Sequence, residues 1–349
     1  MNNVPVPQQR RPLLALLSIL LLVLAACGGG EGDDTGADDG ADASGEVLEL
    51  SFSVERGSEE VTGVDAVPDM MNIFANNLEE DLGDGVQIDR FFDRGDEFAQ
   101  MELIRVGEVD VVPIGSDIVQ LDEKFQIFDM PFLLPDRATA VAALDGAVGE
   151  QLKASLVETA GVRPLAFGEI GIRHITNNVR PIEQPEDLRG LTIRTPDSET
   201  RVLYFETLGA APTPMSLDEV YLALDQGVLD GQENPLGNIN GQSFYEVQDY
   251  LSLTGHVYTP VVLSINEERW QSLSAEHQEA LQRAADAAAE ESRAHGERND
   301  EELLDVFQDH MEINEADTDA FREAAEPVWE EIASRVGEEF VQEVLDSIE

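Results

Sequence analysis

The sequence predicts a two-domain α/β protein in which helices cover parallel or mixed sheets and one long helix lies across both domains. Three observations support this prediction. The chain has 349 residues and is 42% hydrophobic, which is enough to form two cores. Strand-like and helix-like patterns alternate along most of it. Near the C-terminus a helical pattern of roughly 35 residues would be about 50 Å long, which exceeds the width of one domain.

The charge of the chain is strongly acidic. It contains 72 Asp and Glu residues against 21 Lys and Arg, its formal net charge is −51, and Lys124 and Lys153 are its two lysines. Such a surface repels phosphates, so nucleic acid is excluded as a partner. Because molar salt shortens the Debye length to about 3 Å and screens self-repulsion, we expect a salt-rich, halophilic environment.

The N-terminal segment indicates export. Arg10 and Arg11 precede an apolar run at 13–26 that ends in Leu24-Ala25-Ala26-Cys27. This ending resembles the bacterial lipobox, which implies that residues 1–26 are a lipoprotein signal peptide and that Cys27 is lipidated. The alternative is an ordinary signal peptide with an incidental cysteine. Since Cys27 is the only cysteine, no disulfide can form within the chain.

Residues 27–46 contain mostly glycine, alanine and acid. This composition cannot bury a core, so we expect a disordered, self-repelling tether. We therefore expect a globular body that is exported and held by a lipid anchor on the outer face of the cytoplasmic membrane, periplasmic or at the cell surface.

The first half of the body shows a β-α-β-α-β order. Strands are predicted at VLELSFSV (47–54), VQIDRFF (86–92), VDVVPI (109–114) and VRPLAFG (162–168). Helical spacing of apolar residues from Met71 to Leu82 and from Phe98 to Arg105 predicts the helices between the first three strands. A proline-broken loop at 128–136 and helical stretches up to Val157 precede the fourth strand.

A second cycle begins near Gly171. Helices or turns are predicted at PEDLRG (185–190), DSETRVLYFETLG (197–209) and LDEVYLALDQ (217–226), and strands at LTIRT (191–195), VLDG (228–231) and VYTPVVLSI (257–265). Ser274 is the predicted N-cap of the long helix, which runs to about Asp309. An amphipathic segment from Phe321 to Leu345, kinked at Pro327, closes the chain.

A search for catalytic patterns finds none. The five histidines form no HExxH motif or paired metal spacing, and neither GxSxG nor GxxxxGK[ST] occurs. With 72 acidic residues, neighbouring carboxylates carry no information about acid–base roles. We therefore expect a body that is not an enzyme and that uses neither a cofactor nor a metal.

The most informative residues are GIRHITNNVRPIEQPEDLRGLTIRTP (171–196) and LGAAPTPMSLDEVYLALDQGVLDGQENP (208–235). Together these blocks resemble the extracytoplasmic solute-binding proteins of tripartite ATP-independent periplasmic (TRAP) transporters, the DctP-like family. The resemblance covers most of residues 86–310, and it is the order and spacing of the PEDLRGLTIRTP, PTPM and DGQENP motifs that make it specific.

The resemblance implies a periplasmic-binding-protein-like fold with a hinge cleft between two domains. Domain I would comprise 47–170 and 260–299, and domain II 171–259 and 300–349. The ligand would be a small organic-acid anion, and the partners would be the small and large membrane subunits of a TRAP transporter, driven by an ion gradient. Two alternatives stay open: a ligand sensor of the same fold, and a solute-binding lipoprotein of an ABC importer.

The candidate binding residues lie in the same blocks. A guanidinium can grip a carboxylate by two parallel hydrogen bonds, and Arg194 is near the C-terminal end of its strand, where open α/β sheets bind ligands. The resemblance assigns ligand contact to Arg194, Arg173 and Asn234, and a pocket wall to Met215 and Leu217. The structural alternatives are a surface ion pair for Arg194, packing for Arg173, a turn for Asn234, and core positions for the other two.

Other residues of these motifs have expected supporting roles. We interpret Asp230 and Glu233 as supports of the backbone and hinge, because an acid would repel an anionic ligand, and His174 as a packed or exposed histidine. Glu97, Gly115 and Ser116 fall where related proteins place ligand-facing polar groups, but their types differ from the family pattern. The sequence therefore predicts the ligand contacts of domain I less clearly than those of domain II.

Overall fold

The computed structural model describes residues 47–348. The predicted signal peptide, Cys27 and the acidic tether at 27–46 lie outside these residues. The first half of the body contains four strands and four helices in the predicted order: β1 (Leu48–Ser53), α1 (Ala66–Leu82), β2 (Val86–Phe91), α2 (Glu97–Arg105), β3 (Val111–Ile114), α3 (Arg137–Leu144), α4 (Ala147–Ala160) and β4 (Val162–Phe167).

The second half contains eight strands and eight helices. They are β5 (Gly171–Asn177), β6 (Thr192–Thr195), α5 (Glu199–Thr207), β7 (Ala211–Pro214), α6 (Leu217–Asp225), β8 (Gly231–Pro235), α7 (Leu236–Gly241), β9 (Tyr250–Leu253), β10 (Tyr258–Thr259), β11 (Val262–Asn266), α8 (Glu267–Ser272), α9 (Ala275–Phe307), β12 (Glu312–Glu315), α10 (Thr318–Ala324), α11 (Glu326–Val336) and α12 (Glu338–Ile348).

The strands form two mixed sheets. The first has the order β2-β1-β3-β11-β4, and the second has the order β12-β9-β5-β8-β6-β7, with β10 paired to β5. In the first sheet β1, β2 and β3 are parallel, and in the second β6, β7 and β8 are parallel. The carboxyl ends of each parallel set therefore meet at one edge of their sheet, where open α/β sheets bind ligands.

The chain crosses between the sheets twice in neighbouring segments. It leaves β4 for β5 through 168–170 and returns from β10 to β11 through Pro260 and Val261. The two segments hydrogen-bond to each other, since Gly168 N donates to Val261 O (2.8 Å) and Ile170 N to Thr259 O (3.0 Å). A Cβ on Gly168 would lie 2.8 Å from Ser292 Oγ and 2.9 Å from Met70 Sδ, so the crossing needs glycine there.

The predicted long helix is confirmed as α9, which has 33 residues and is capped by Ser274, whose side chain accepts from His277 N. Its first half packs against α1, with Ala280, Leu281 and Ala285 in the core beside the first sheet. Its second half places Leu303 and Phe307 in the core with α6, α7 and β9. The helix thus joins the packing of both halves of the body.

The predicted strand at 228–231 is wrong, because Val228 is exposed and the strand is β8, five buried residues with the sequence GQENP. The expected single strand at 257–265 is divided into β10 and β11 at Pro260, where the chain passes between sheets. The C-terminal segment is three helices, and Pro327 is in the first turn of α11 rather than at a kink within a helix, because this position needs no N–H donor.

The domain boundaries given above stay a prediction. By its contacts the described part of the chain, 47–348, forms a single compact unit that contains both sheets. The last helix, α12, packs against α3 and α4, whereas α11 contacts α5, so the C-terminal helices touch both halves. Within the described residues, no helix has the length and apolar character needed to cross a bilayer.

Candidate functional site

A cavity of about 290 Å³ opens between the carboxyl-end edges of the two sheets. Its wall on the first-sheet side comes from the segments that follow β1, β2 and β3: Glu55, Arg56, Asp96, Glu97, Phe98, Gly115, Ser116, Asp117 and Gln120. Its wall on the second-sheet side comes from the paired ends of β5, β6, β7 and β8: Arg173, Arg194, Pro196, Asp197, Pro214, Met215, Ser216, Leu217, Asn234 and Asn238. The topology alone therefore brings these loops together.

Arg194 is on β6, one residue before the strand ends, and is 4% exposed. Its Nε and Nη2 donate to the backbone oxygen of Met215 at 2.9 and 2.5 Å, and none of its hydrogen bonds among the described residues uses Nη1. Burial, with a contribution from the nearby Arg173 charge, lowers the pKa of Arg194 to about 10. The guanidinium is therefore fixed in direction and still positively charged at neutral pH.

Arg173 is on β5 and is buried beside Arg194 in the cavity wall. Its Nε donates to Glu233 Oε2 at 2.5 Å, and its Nη2 donates to Glu233 Oε1 and Asn234 Oδ1, both at 2.9 Å. Burial lowers the pKa of Arg173, while the Glu233 charge acts in the opposite direction. Arg173 thus has an internal carboxylate partner, which Arg194 does not have among the described residues.

Asn234 is directly opposite His174 in the register of β8 and β5. Its Oδ1 accepts from Arg173 Nη2, and its Nδ2 donates to Gln232 Oε1 at 2.6 Å. Met215 and Leu217 follow β7 and line the cavity next to Arg194. The structure therefore brings all five sequence-predicted binding residues to one cavity wall, and their contact with a ligand stays a prediction.

Glu233 is the centre of a buried ion-pair cluster. Its carboxylate accepts from Arg173, from Arg201 Nη1 at 3.0 and 3.1 Å, and from His256 Nε2 at 3.1 Å. Burial raises the pKa of Glu233, but the two arginines outweigh burial and hold it well below its usual value. Since the carboxylate is charged, the proton of His256 is on Nε2, and Thr254 Oγ1 donates to its Nδ1.

Sequence reasoning gave Glu233 a supporting role but missed its partners. Arg201 is fully buried on α5 and also binds Asp129, whose other oxygen accepts from Ser198 Oγ at 2.5 Å. The available signals were an arginine on the apolar face of a helix, in RVLYF, and an aspartate inside the apolar run FQIFDMPF. Both are unusual unless each charge has a buried partner.

The remaining supports match their predicted roles. Asp230 accepts at Oδ2 from Thr192 N (2.8 Å) and so holds the start of β6 against β8. His174 accepts at Nδ1 from Gly255 N, and burial lowers its pKa to about 3, so it is a neutral packed residue.

The first-sheet wall is rich in acid. Glu97 Oε1 accepts from Gly115 N (2.5 Å) and Asp117 N (3.2 Å), and burial raises the pKa of Glu97. Burial and the adjacent Glu97 raise the pKa of Asp117 to about 8. Arg56, also in this wall, is paired with Asp65 at 2.6 Å and with Glu55. Sequence reasoning singled out Glu97, Gly115 and Ser116 but missed Asp117 and Phe98.

Comparison with known proteins gives one consistent result. The family described as bacterial extracellular solute-binding protein, family 7 (DctP), matches residues 65–335. The 2,3-diketo-L-gulonate-binding periplasmic protein YiaO of Escherichia coli is 36% identical over 253 residues, which are 72% of this chain and 75% of that protein.

Solved structures agree with the sequence relatives. A TRAP periplasmic solute-binding protein from Bordetella bronchiseptica, with density assigned to pantoate, superposes with a TM-score of 0.79 at 31% identity, covering 86% of this chain and 99% of the other. One from Sulfurospirillum deleyianum with bound succinate superposes with a TM-score of 0.77 at 26% identity, covering 86% and 98%.

Proposed function

The chain belongs to the DctP family, family 7 of the bacterial extracellular solute-binding proteins, and we propose that its cleft holds the carboxylate of a small organic acid on Arg194. The protein is an extracytoplasmic solute receptor of a TRAP transporter and not an enzyme. Its relatives are named for or contain organic acids, namely 2,3-diketo-L-gulonate, pantoate and succinate. A small carboxylate is the chemistry that these ligands share.

The observation that carries the proposal is the environment of Arg194. Its guanidinium is buried, charged and anchored on one side by a backbone carbonyl, while the side chain lines the cavity. A buried cation without a carboxylate partner is costly, so an incoming carboxylate gains more there than at a surface arginine. Each charge-assisted hydrogen bond would contribute about 1.5–3 kcal/mol net.

Arg173 and Asn234 complete the proposed carboxylate site. Because Glu233 and Asn234 hold Arg173 by hydrogen bonds, its guanidinium is ordered before the ligand arrives. Asn234 can also donate to or accept from the ligand without leaving Arg173, since each of its amide atoms makes one internal hydrogen bond and has capacity for another. Met215 and Leu217 would contact the apolar part of the ligand.

Release and capture would follow from hinge closure. The cavity takes its walls from both sheets, and the sheets are joined by the paired crossings at 168–170 and 260–261. A ligand that contacts both walls stabilises the closed form by its differential affinity for that form. The closed receptor then docks on the small and large membrane subunits, and we propose that lipidated Cys27 keeps it at the membrane surface.

A thermal-shift screen of organic acids in high salt tests this function. A ligand at about 100 times its dissociation constant stabilises the folded state by about 2.7 kcal/mol, which a melting curve resolves. We expect at least one small carboxylate to raise the melting temperature of the native protein, and the same acid to have no effect on the Arg194→Ala variant. If no acid shifts a folded, cooperatively melting preparation, the proposed function is wrong.

A further inference from the structure

The charges around the cavity do not match a ligand with two carboxylates. Three arginines line it, but Arg56 is paired with Asp65 and Arg173 with Glu233. Arg194 is thus the lining arginine without a carboxylate partner among the described residues. Glu55 is paired with Arg56, so four lining acids outside these ion pairs face it: Asp96, Glu97, Asp117 and Asp197.

Two of these acids form a close pair opposite the carboxylate site. Glu97 is fixed by the backbone N–H groups of Gly115 and Asp117, so its second oxygen, Oε2, makes no hydrogen bond among the described residues. The side chain of Asp117 makes none either within that range, and it lines the cavity. Each carboxylate is close enough to the other and to Arg194 for their charges to interact.

Ligand binding changes the balance of this charge. In the empty cleft burial raises the pKa of both acids, that of Asp117 to about 8, so Asp117 is protonated at neutral pH, and the nearby charge of Arg194 offsets burial only in part. A ligand carboxylate on Arg194 neutralises that cation and removes the offset, so Glu97 and Asp117 favour their neutral forms unless the ligand also brings a positive group beside them. A second carboxylate on the ligand would add repulsion, whereas a positive group would restore neutrality.

An aromatic ring lies next to the pair. Phe98 directly follows Glu97 on α2, lines the cavity, and is 54% exposed. Val67 and Ile170 also line the cavity, and the exposed ring of Phe98 has a face that attracts cations, including alkylated ammonium groups. Carboxylates together with an aromatic face form a cation-binding surface.

We propose that the ligand is a zwitterion, with its carboxylate on Arg194 and a positively charged nitrogen held between Glu97, Asp117 and the ring of Phe98. This inference rests on the proposed function and adds the substrate class to it: amino acids, betaines or related compounds with one carboxylate and one cationic nitrogen. The competing class is a hydroxy acid, whose hydroxyls would donate to the same two carboxylates.

Calorimetric titration of matched ligands at high salt tests the inference. One matched series is γ-aminobutyrate, γ-hydroxybutyrate, pentanoate and glutarate, which differ only in the group at the far end, and it is run beside panels of amino acids, betaines, hydroxy acids and dicarboxylates. We expect the tightest ligand to be a zwitterion, bound at least about tenfold more tightly than its hydroxyl analogue, or about 1.4 kcal/mol.

Two variants localise the effect. Glu97→Gln keeps the acceptor for Gly115 N, and Asp117→Asn disturbs no side-chain hydrogen bond among the described residues, so both should fold. Each should reduce zwitterion affinity at least about tenfold, because a bound cation favours the ionised form of the acid and the amide cannot supply that charge-assisted contact. Asp309→Asn, at an exposed acid outside the cavity wall, is the matched control and should bind like the native protein.

The possible outcomes distinguish a failure of the zwitterion inference from a failure of the proposed carboxylate-receptor function. A hydroxy acid or dicarboxylate that binds more tightly than every zwitterion overturns the inference and leaves the carboxylate receptor intact. Unchanged zwitterion affinity in both Glu97→Gln and Asp117→Asn overturns it as well. If no carboxylate of any class binds, the proposed function fails and the inference fails with it.

Discussion

At the scale of single residues, the carboxylate of Glu233 is needed to keep the buried guanidinium groups of Arg173 and Arg201 charged in the second-sheet side of the fold. Arg173 and Arg201 are both buried and both bind Glu233, which is the carboxylate partner of Arg173 and shares Arg201 with Asp129. A buried ion pair is not in itself stabilising, but removing one partner leaves uncompensated charge. The cluster orients Arg173 toward the cavity and keeps it there.

Glu233→Gln should therefore lower the free energy of unfolding by about 3–5 kcal/mol, since the buried Arg173 loses its carboxylate partner and Arg201 keeps only Asp129. Urea titration followed by circular dichroism measures this. Glu199→Gln is the control, because Glu199 pairs with Arg335 at a site where its side chain is 83% exposed, and it should unfold like the native protein. Equal midpoints for Glu233→Gln and the native protein would contradict the role given to Glu233.

The sequence allowed prediction of binding candidates that lie in recognisable motifs. Arg173, Arg194 and Asn234 could be named because their neighbours carry a specific pattern, and the structure places them in one wall. Asp117 and Phe98 could not be named, because an acid among 72 and a single aromatic residue give no local signal. Only the folded structure shows that both residues line the cavity, because β2 and β3 end at the same edge of the sheet.

At the scale of elements, β8 shows why a buried strand can escape prediction. Its five residues, GQENP, are all buried, yet none is an aliphatic or aromatic residue. Their polar side chains are satisfied by Thr176, Arg173 and Arg201, which are distant in sequence. Hydrophobic periodicity therefore placed the strand at Val228, whereas α1, α9 and the strands β1 to β4 of the first sheet, whose apolar residues face a core, were predicted correctly.

Gly231→Ala tests the close pairing of β8 with β5. A Cβ at Gly231 would lie 2.2 Å from Thr176 O and 2.8 Å from Asn177 Cβ, so the strands must separate. We expect a loss of at least about 2 kcal/mol in the free energy of unfolding, with weaker ligand binding because Glu233 and Asn234 move with the strand.

Gly85→Ala is the matched control for this substitution. Its Cβ would meet only Leu82 Cβ at 3.9 Å, which is ordinary contact, so its stability should stay close to that of the native protein. If Gly231→Ala is as stable as Gly85→Ala, the described register of β5 and β8 is contradicted.

At the scale of the whole molecule, the net charge of −51 acts against folding and against the capture of anions. Most of the acids are on the surface, where salt screens them, whereas the Glu233 cluster and Arg194 are buried. The fold therefore keeps a small cationic site inside an acidic body, and salt should affect the body more than the site.

The free energy of unfolding should rise when chloride salt is raised from about 0.1 M to about 2 M, because the Debye length falls from about 10 Å to below 3 Å. Chloride is preferred to sulfate, which would strengthen apolar burial by itself. Urea titrations at several salt concentrations measure the change. A free energy of unfolding that does not depend on salt would contradict the claim that repulsion between surface acids destabilises the folded protein.

The central claim is that the buried guanidinium of Arg194 holds the carboxylate of the ligand. Isothermal titration calorimetry of Arg194→Lys, with the tightest acid from the screen, tests it most directly, since lysine keeps the charge but loses the planar fork. We expect affinity to fall at least about 100-fold, or about 2.7 kcal/mol, with no change for the exposed control Arg298→Lys. Equal affinity of Arg194→Lys and the native protein would contradict the claim.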